Sequence, residues 1–131
     1  MRAPQSWTVR DGRYWILDPR SLKPAAADLM TWAHTFEETE RRLLRTEFHL
    51  PTGDRCFVST VFLGINHGWR RCVLFETMIF GPVFADEMQW RCRTAVQAKK
   101  QHRRAVRVLR AQLVRAGVSP RRFTVRFTAG A

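Results

Sequence analysis

Cys56-Phe57-Val58-Ser59-Thr60-Val61-Phe62-Leu63 and Val73-Leu74-Phe75-Glu76-Thr77-Met78-Ile79-Phe80 are dense runs of β-branched and aromatic residues, and their pairing decides the fold. Side chains of these types fit a pleated, half-buried surface, so each run reads as a strand. The connection between them, Gly64-Ile65-Asn66-His67-Gly68-Trp69-Arg70-Arg71, is too long for a two-residue turn, and the runs are expected to pair antiparallel around it. It carries Gly, Asn, His, Trp and two Arg, and a polar loop on a rigid hairpin is where binding chemistry is often placed.

Toward the C-terminus, Pro82 closes the second run, and Gln89 to Arg93 reads as another strand. Thr94 is a good N-cap for a long helix reaching Ala116, with Gly117 as its C′ residue and Pro120 blocking continuation. Ala95, Ala98, His102, Ala105, Val106, Leu109 and Leu113 form one stripe of this helix, and basic residues fill the adjoining arc. Phe123 to Thr128 alternates and predicts a last strand with Phe123, Val125 and Phe127 facing inward.

Toward the N-terminus, Pro51 to Asp54 is a turn and Glu47 to Leu50 a short strand. From Ala26 to Arg45, Leu29, Trp32, Ala33, Phe36 and Leu43 recur at helical spacing and predict an amphipathic helix, its Glu37 and Glu38 placed to pair with Arg41 and Arg42. Trp7 to Arg10 and Arg13 to Leu17, joined by Asp11-Gly12, have the pattern of a hairpin, and the stretch from Asp18 to Pro24 reads as a loop. The expectation is a single α+β domain over residues 1–131, an antiparallel sheet with two amphipathic helices packed on one face.

Charge is distributed unevenly over this frame. All eleven acidic residues lie at or before Glu87, where eleven Lys and Arg balance them, and the other twelve basic residues follow with no carboxylate among them. The net charge of +12 therefore belongs to the C-terminal segment, chiefly to Lys99, Lys100, Arg103, Arg104, Arg107, Arg110 and Arg115 on the long helix. An acid-free basic face of this kind is the electrostatic footprint of a phosphate-rich or otherwise acidic partner.

No stretch approaches the roughly 18 apolar residues of a membrane span, and residues 1–6 lack the apolar run of a signal peptide, so a soluble, cytoplasmic protein with no membrane partner is expected. Cys56, Cys72 and Cys92 contain no C-x-x-C pair and read as reduced, small buried hydrophobes.

The run from Val58 to His67, V-S-T-V-F-L-G-I-N-H, followed by L-F-E-T-M-I-F-G from Leu74 to Gly81, resembles a group of small uncharacterised proteins encoded by bacteriophages and mobile regions of bacterial genomes. The resemblance covers roughly Trp32 to His102 and implies a phage-type accessory protein working in the host cytoplasm, with no activity attached. Relatives of this pattern carry a Gly/Pro-rich loop after the His, where this chain has Gly68-Trp69-Arg70-Arg71, and an acidic helix start, where it has Lys99-Lys100. The positive charge thus looks like an addition to a shared scaffold.

Lys100, Arg103, Arg107 and Arg110 stand at spacings of three and four and project from one side of the helix, where they are placed to contact successive phosphates. The candidate nucleic-acid site is Lys100, Arg103, Arg104, Arg107 and Arg110, with Arg70 and Arg71 as further phosphate contacts and Trp69 as a stacking residue. Trp90, between Gln89 and Arg91, reads as a packing residue. His67, Glu76, Ser59, Thr60 and His102 are the residue types of acid–base or nucleophilic catalysis. Glu76, however, is explained more simply by a cross-strand partner near Ser59 or Thr60 or by an Arg, and His102 by a place in the core. No third ligand accompanies His67 and His102, so no metal, cofactor or catalytic function is assigned. The expected role is non-enzymatic binding of nucleic acid or a nucleoprotein, with the alternative of an inhibitor or adaptor that grips an acidic host complex such as an antiviral-defence assembly.

Overall fold

The computed structural model describes residues 13–66, 68, 72–81, 88–118 and 121–126, with Met88 and the last stretch described through their backbone. In chain order the elements are β1 (Trp15–Leu17), β2 (Pro24–Ala26), α1 (Leu29–Glu38), β3 (Arg42–His49), β4 (Arg55–Phe62), β5 (Phe75–Phe80), β6 (Met88–Cys92), α2 (Ala95–Arg115) and β7 (Arg121–Arg126). Strands β3 to β7 form one antiparallel sheet in the order β6-β5-β4-β3-β7. The fold is α+β. Four strands run as a meander, and α2 then carries the chain back across the sheet to add β7 beside β3.

The two central runs pair as expected, with Thr60 opposite Thr77 and Phe62 opposite Phe75. Their alternation sorts the sheet into two faces. Leu44, Thr46, Phe48, Cys56, Val58, Thr60, Phe62, Phe75, Thr77 and Ile79 are buried on one, while Arg45, Glu47, Phe57, Ser59, Glu76 and Met78 are partly exposed on the other. The buried face is covered by α2, which is capped as the sequence implies. Thr94 Oγ1 accepts from Gln97 N–H, and Gln97 Oε1 accepts from Thr94 N–H, closing a capping box. Gly117 takes a φ of 78° just beyond its end.

Several N-terminal boundaries differ from the sequence expectation. The helix predicted from Ala26 to Arg45 is shorter at both ends: Ala26 belongs to β2, Asp28 caps α1 by accepting from Thr31 N–H at 2.8 Å, and the helix stops at Glu38. Arg42 to His49 is a strand, of which the expected Glu47 to Leu50 covers only the last three residues, Leu50 lying beyond its end. Leu44, Thr46 and Phe48 alternate with Arg45, Glu47 and His49, and this period of two prevails over the one Leu43 that fits helical spacing. The expected loop up to Pro24 continues into β2, which pairs with β1 through Leu17 opposite Pro24. The hairpin arm expected from Trp7 to Gly12, and Phe127, lie outside the described residues.

α1 reaches the sheet indirectly. It packs on β1, Trp32 Nε1–H donates to the Gly64 carbonyl at 2.8 Å, and none of its residues is fully buried. Gly64 has a φ of 77°, and a Cβ there would stand 2.8 Å from the Phe36 ring, so this close approach needs glycine. In β7 the register sets Val125 opposite Arg45 and Phe123 opposite Glu47. The inward placement expected for Phe123 and Val125 concerns side chains outside the described ones.

Two apolar clusters make up the core. Leu43, Leu44, Phe62, Leu74, Phe75, Cys92 and Ala98 pack with Leu17 and Leu22 of the β1 region, while Phe48, Cys56, Val58, Ile79, Ala105, Val106, Leu109 and Leu113 pack beneath the rest of α2. Fully buried Ala98 and Ala105 let the helix lie close on the strands. Truncating Leu109, whose side chain is fully buried, should cost about 2–5 kcal/mol, whereas Arg110→Ala on the exposed side should stay within about 0.5 kcal/mol. Urea midpoints of the two variants measure the contrast.

Candidate nucleic-acid interface

The buried stripe of α2 consists of Ala98, His102, Ala105, Val106, Leu109 and Leu113. With 100° between successive residues, Lys100, Arg103, Arg104, Arg107 and Arg110 fall on the arc opposite this stripe, and all five are exposed. The arc runs about 15 Å from Lys100 to Arg110 at ~1.5 Å per residue. Arg115 is exposed as well, and Lys99 is half-buried at the edge of the arc.

What fixes the arc in space is a polar seam inside the core. His102 is buried, its Nε2 lies 2.8 Å from Thr46 Oγ1 on β3, and its Nδ1 lies 2.7 Å from Thr60 Oγ1 on β4. Thr60 Oγ1 in turn lies 2.7 Å from Thr77 Oγ1 on β5. One imidazole thus ties α2 to a chain of three hydroxyls crossing three strands, and His102 is a satisfied core residue.

The carboxylates are engaged elsewhere. Glu47 pairs with Arg45 at 2.8 Å, His49 at 3.0 Å and Arg55 at 3.8 Å on the open sheet face. Glu76 pairs with Arg91 at 2.9 Å and accepts from the Gln89 amide, which confirms an Arg partner for it but places Val61, and neither Ser59 nor Thr60, opposite. Glu40 pairs with Arg42. Among the described residues, no ion pair involves a cation of α2. The His49 ring and the Arg45 guanidinium hold the Glu47 carboxyl below its ordinary range.

The open sheet face also carries a stacked pair, Phe57 and Phe80, with ring centroids 4.8 Å apart and the Arg45 guanidinium 3.8 Å over Phe57. Trp90 packs against the core cluster under α2, the packing role expected for it. Burial raises the thiols of Cys72 and Cys92 and keeps them protonated. No three potential metal-ligating side chains come together among the described residues, and no helix is long and apolar enough to cross a membrane.

Of the predicted site, the structure brings together Lys100, Arg103, Arg104, Arg107 and Arg110. His67, Trp69, Arg70 and Arg71 lie outside the described residues. Sequence reasoning missed that Arg93, Gln97 and Gln101 line one pocket with Lys100. The signal was present in the i, i+3, i+4 spacing of Gln97, Lys100 and Gln101 directly after Arg93. A scan against protein-family models, a search of curated proteins and a search of solved structures each find no match for this chain.

Thr60→Val removes a hydroxyl shared by His102 and Thr77 and should cost about 1–3 kcal/mol, read as a lowered urea midpoint. Glu47 gives a pH signature. Its folded value lies below its unfolded one, so the stability it contributes is present above the ordinary carboxylate range and is lost as pH falls through the folded value. Glu47→Gln should lower the urea midpoint at neutral pH and flatten its decline on acidification; an unchanged decline between roughly pH 6 and 3 would count against this pairing.

Proposed function

We propose that this protein binds nucleic acid, free or within a nucleoprotein, through the exposed arc of α2, without catalysis, as a small accessory protein of the phage type. The observation that carries the reading is the isolation of five exposed cations from every described carboxylate. On the sheet, Arg42, Arg45, Arg55 and Arg91 each have a Glu within 4 Å. On α2, by contrast, Lys99 stands four residues from Arg103, Lys100 from Arg104, and Arg103 from Arg107, so the neighbours along the arc repel one another.

Each such like-charge neighbour pair costs about 0.2–0.5 kcal/mol, and an anionic ligand relieves this repulsion. One strand of a duplex carries roughly one phosphate per 3.4 Å of axis, so about four face the ~15 Å arc, close to the number of its cations. These contacts are to backbone phosphates and carry no sequence information, so non-specific affinity is expected from the arc alone.

The test is retention of purified DNA and RNA by the full-length protein, with no other protein present. Reversing Arg103 and Arg107 together to Glu should abolish retention at low salt while leaving the unfolding midpoint nearly unchanged. Wild-type affinity should fall by a factor on the order of 10³ between about 50 and 200 mM salt. Retention that survives the double reversal, or that ignores salt, would falsify the reading; binding found only in the presence of an acidic protein partner would replace it.

A further inference from the structure

The sheet turns its second face away from α2, and neither described helix lies across it, since α2 packs on the other face and α1 on β1. A stack on this face crosses three strands. The Arg45 guanidinium on β3 sits 3.8 Å over the Phe57 ring, and that ring lies 4.8 Å from Phe80, its opposite residue on β5. Phe80 ends the stack at 37% exposure, and half-buried Met78 continues the apolar surface two residues before it. Contiguous apolar surface rimmed by polar side chains marks an interaction site.

The rim charges show which partner fits. Glu47 stands between Arg45 and Arg55, at 2.8 and 3.8 Å, and Glu76 pairs with Arg91 at 2.9 Å. Both signs thus flank the apolar residues, in nearly equal number. A phosphate chain finds each of these guanidinium groups already held by a carboxylate, and a uniformly acidic or basic protein surface meets like charge beside opposite charge. A second copy related by a two-fold axis presents Glu to Arg and Arg to Glu, the self-complementarity that an isologous interface requires.

We propose that this face is the interface of a homodimer, two copies packing sheet to sheet about a two-fold axis with Phe57, Met78 and Phe80 at the contact. Net charge favours this mode over others. Each chain carries +12, concentrated on the arc of α2 on the far side of the sheet. Successive helix, sheet, sheet and helix layers ~10 Å apart hold the two arcs more than ~30 Å from one another, several screening lengths at physiological salt. Five strands ~4.8 Å apart and about six residues long make a face of roughly 24 by 20 Å. Pairing two such faces removes on the order of 1,000 Å² from water, the lower end for a specific interface and the size of a reversible dimer. The inference stands apart from the nucleic-acid reading, and it leaves both arcs free on opposite outer surfaces.

The experiment is sedimentation equilibrium of the nuclease-treated full-length protein in about 200 mM salt, where nucleic acid does not bridge copies. It should show monomer and dimer in exchange, with a dissociation constant on the order of 10–100 µM. Phe80→Glu and Met78→Lys should each weaken the dimer at least about 10-fold, because each sets two like charges against one another at the contact. Val114→Glu, exposed on α2, should leave it unchanged. Urea midpoints check that the variants fold, and in the unaltered protein the Met78 methyl resonance should shift with protein concentration. A monomer up to about 500 µM, a dimer indifferent to both sheet variants, or one broken by Val114→Glu overturns the proposal. A Met78 methyl that responds to added oligonucleotide and not to protein concentration also overturns it and assigns the face to nucleic acid. Failure of the arc reading shows separately, as nucleic acid that is not retained by a protein that still dimerises.

Discussion

The arrangement depends on one buried imidazole. His102 projects from the middle of α2 into the sheet and meets hydroxyls on β3 and β4 with its two ring nitrogens, and Thr77 extends the chain to β5. Apolar packing alone tolerates a helix that rolls or slides, because hydrophobic contact has little direction. Hydrogen bonds at 2.7 and 2.8 Å do not. A slip of one residue would turn the helix by about 100° and strand the imidazole away from its partners. The seam lies between the two apolar clusters, so it also sets how each half of α2 meets the strands.

Once α2 is held in that rotation, the surface follows. The buried stripe takes up the residues that tolerate a dry interior, and the cations are left on the opposite arc. Their mutual repulsion opposes helix formation, and the capping box at Thr94 and Gln97 recovers only part of that. Stability comes mainly from Leu109, Leu113 and Val106 on the sheet. The helix is therefore a rigid rod whose outer charge is independent of its inner packing.

Much of this was legible in the sequence, and the failures have physical causes. The central hairpin, the limits of α2 and its cap were readable because local signals agreed: β-branched runs, Thr94 with Gln97, and Gly117. The span from Ala26 to Arg45 was misjudged because Leu43 continues the helical period of α1 while Leu44 opens the alternation of β3, and the choice is made by pairing with β4 and β7, which no local window contains. The arc of the site was visible as charge without acid. The pocket was not, because Arg93 and Gln101 converge only when the turn between β6 and α2 is built.

The return of α2 across the sheet has a further consequence, for how the chain assembles. β3 to β6 form a meander whose pairings are local in sequence, and such contacts close quickly. β7 joins the other edge of β3 only after α2 has crossed beneath the whole sheet, so this pairing is non-local and should form late. Until then β3 presents an open edge of unpaired backbone groups, a template for strands of other chains. During that interval the like charges of α2 oppose the approach of a second copy.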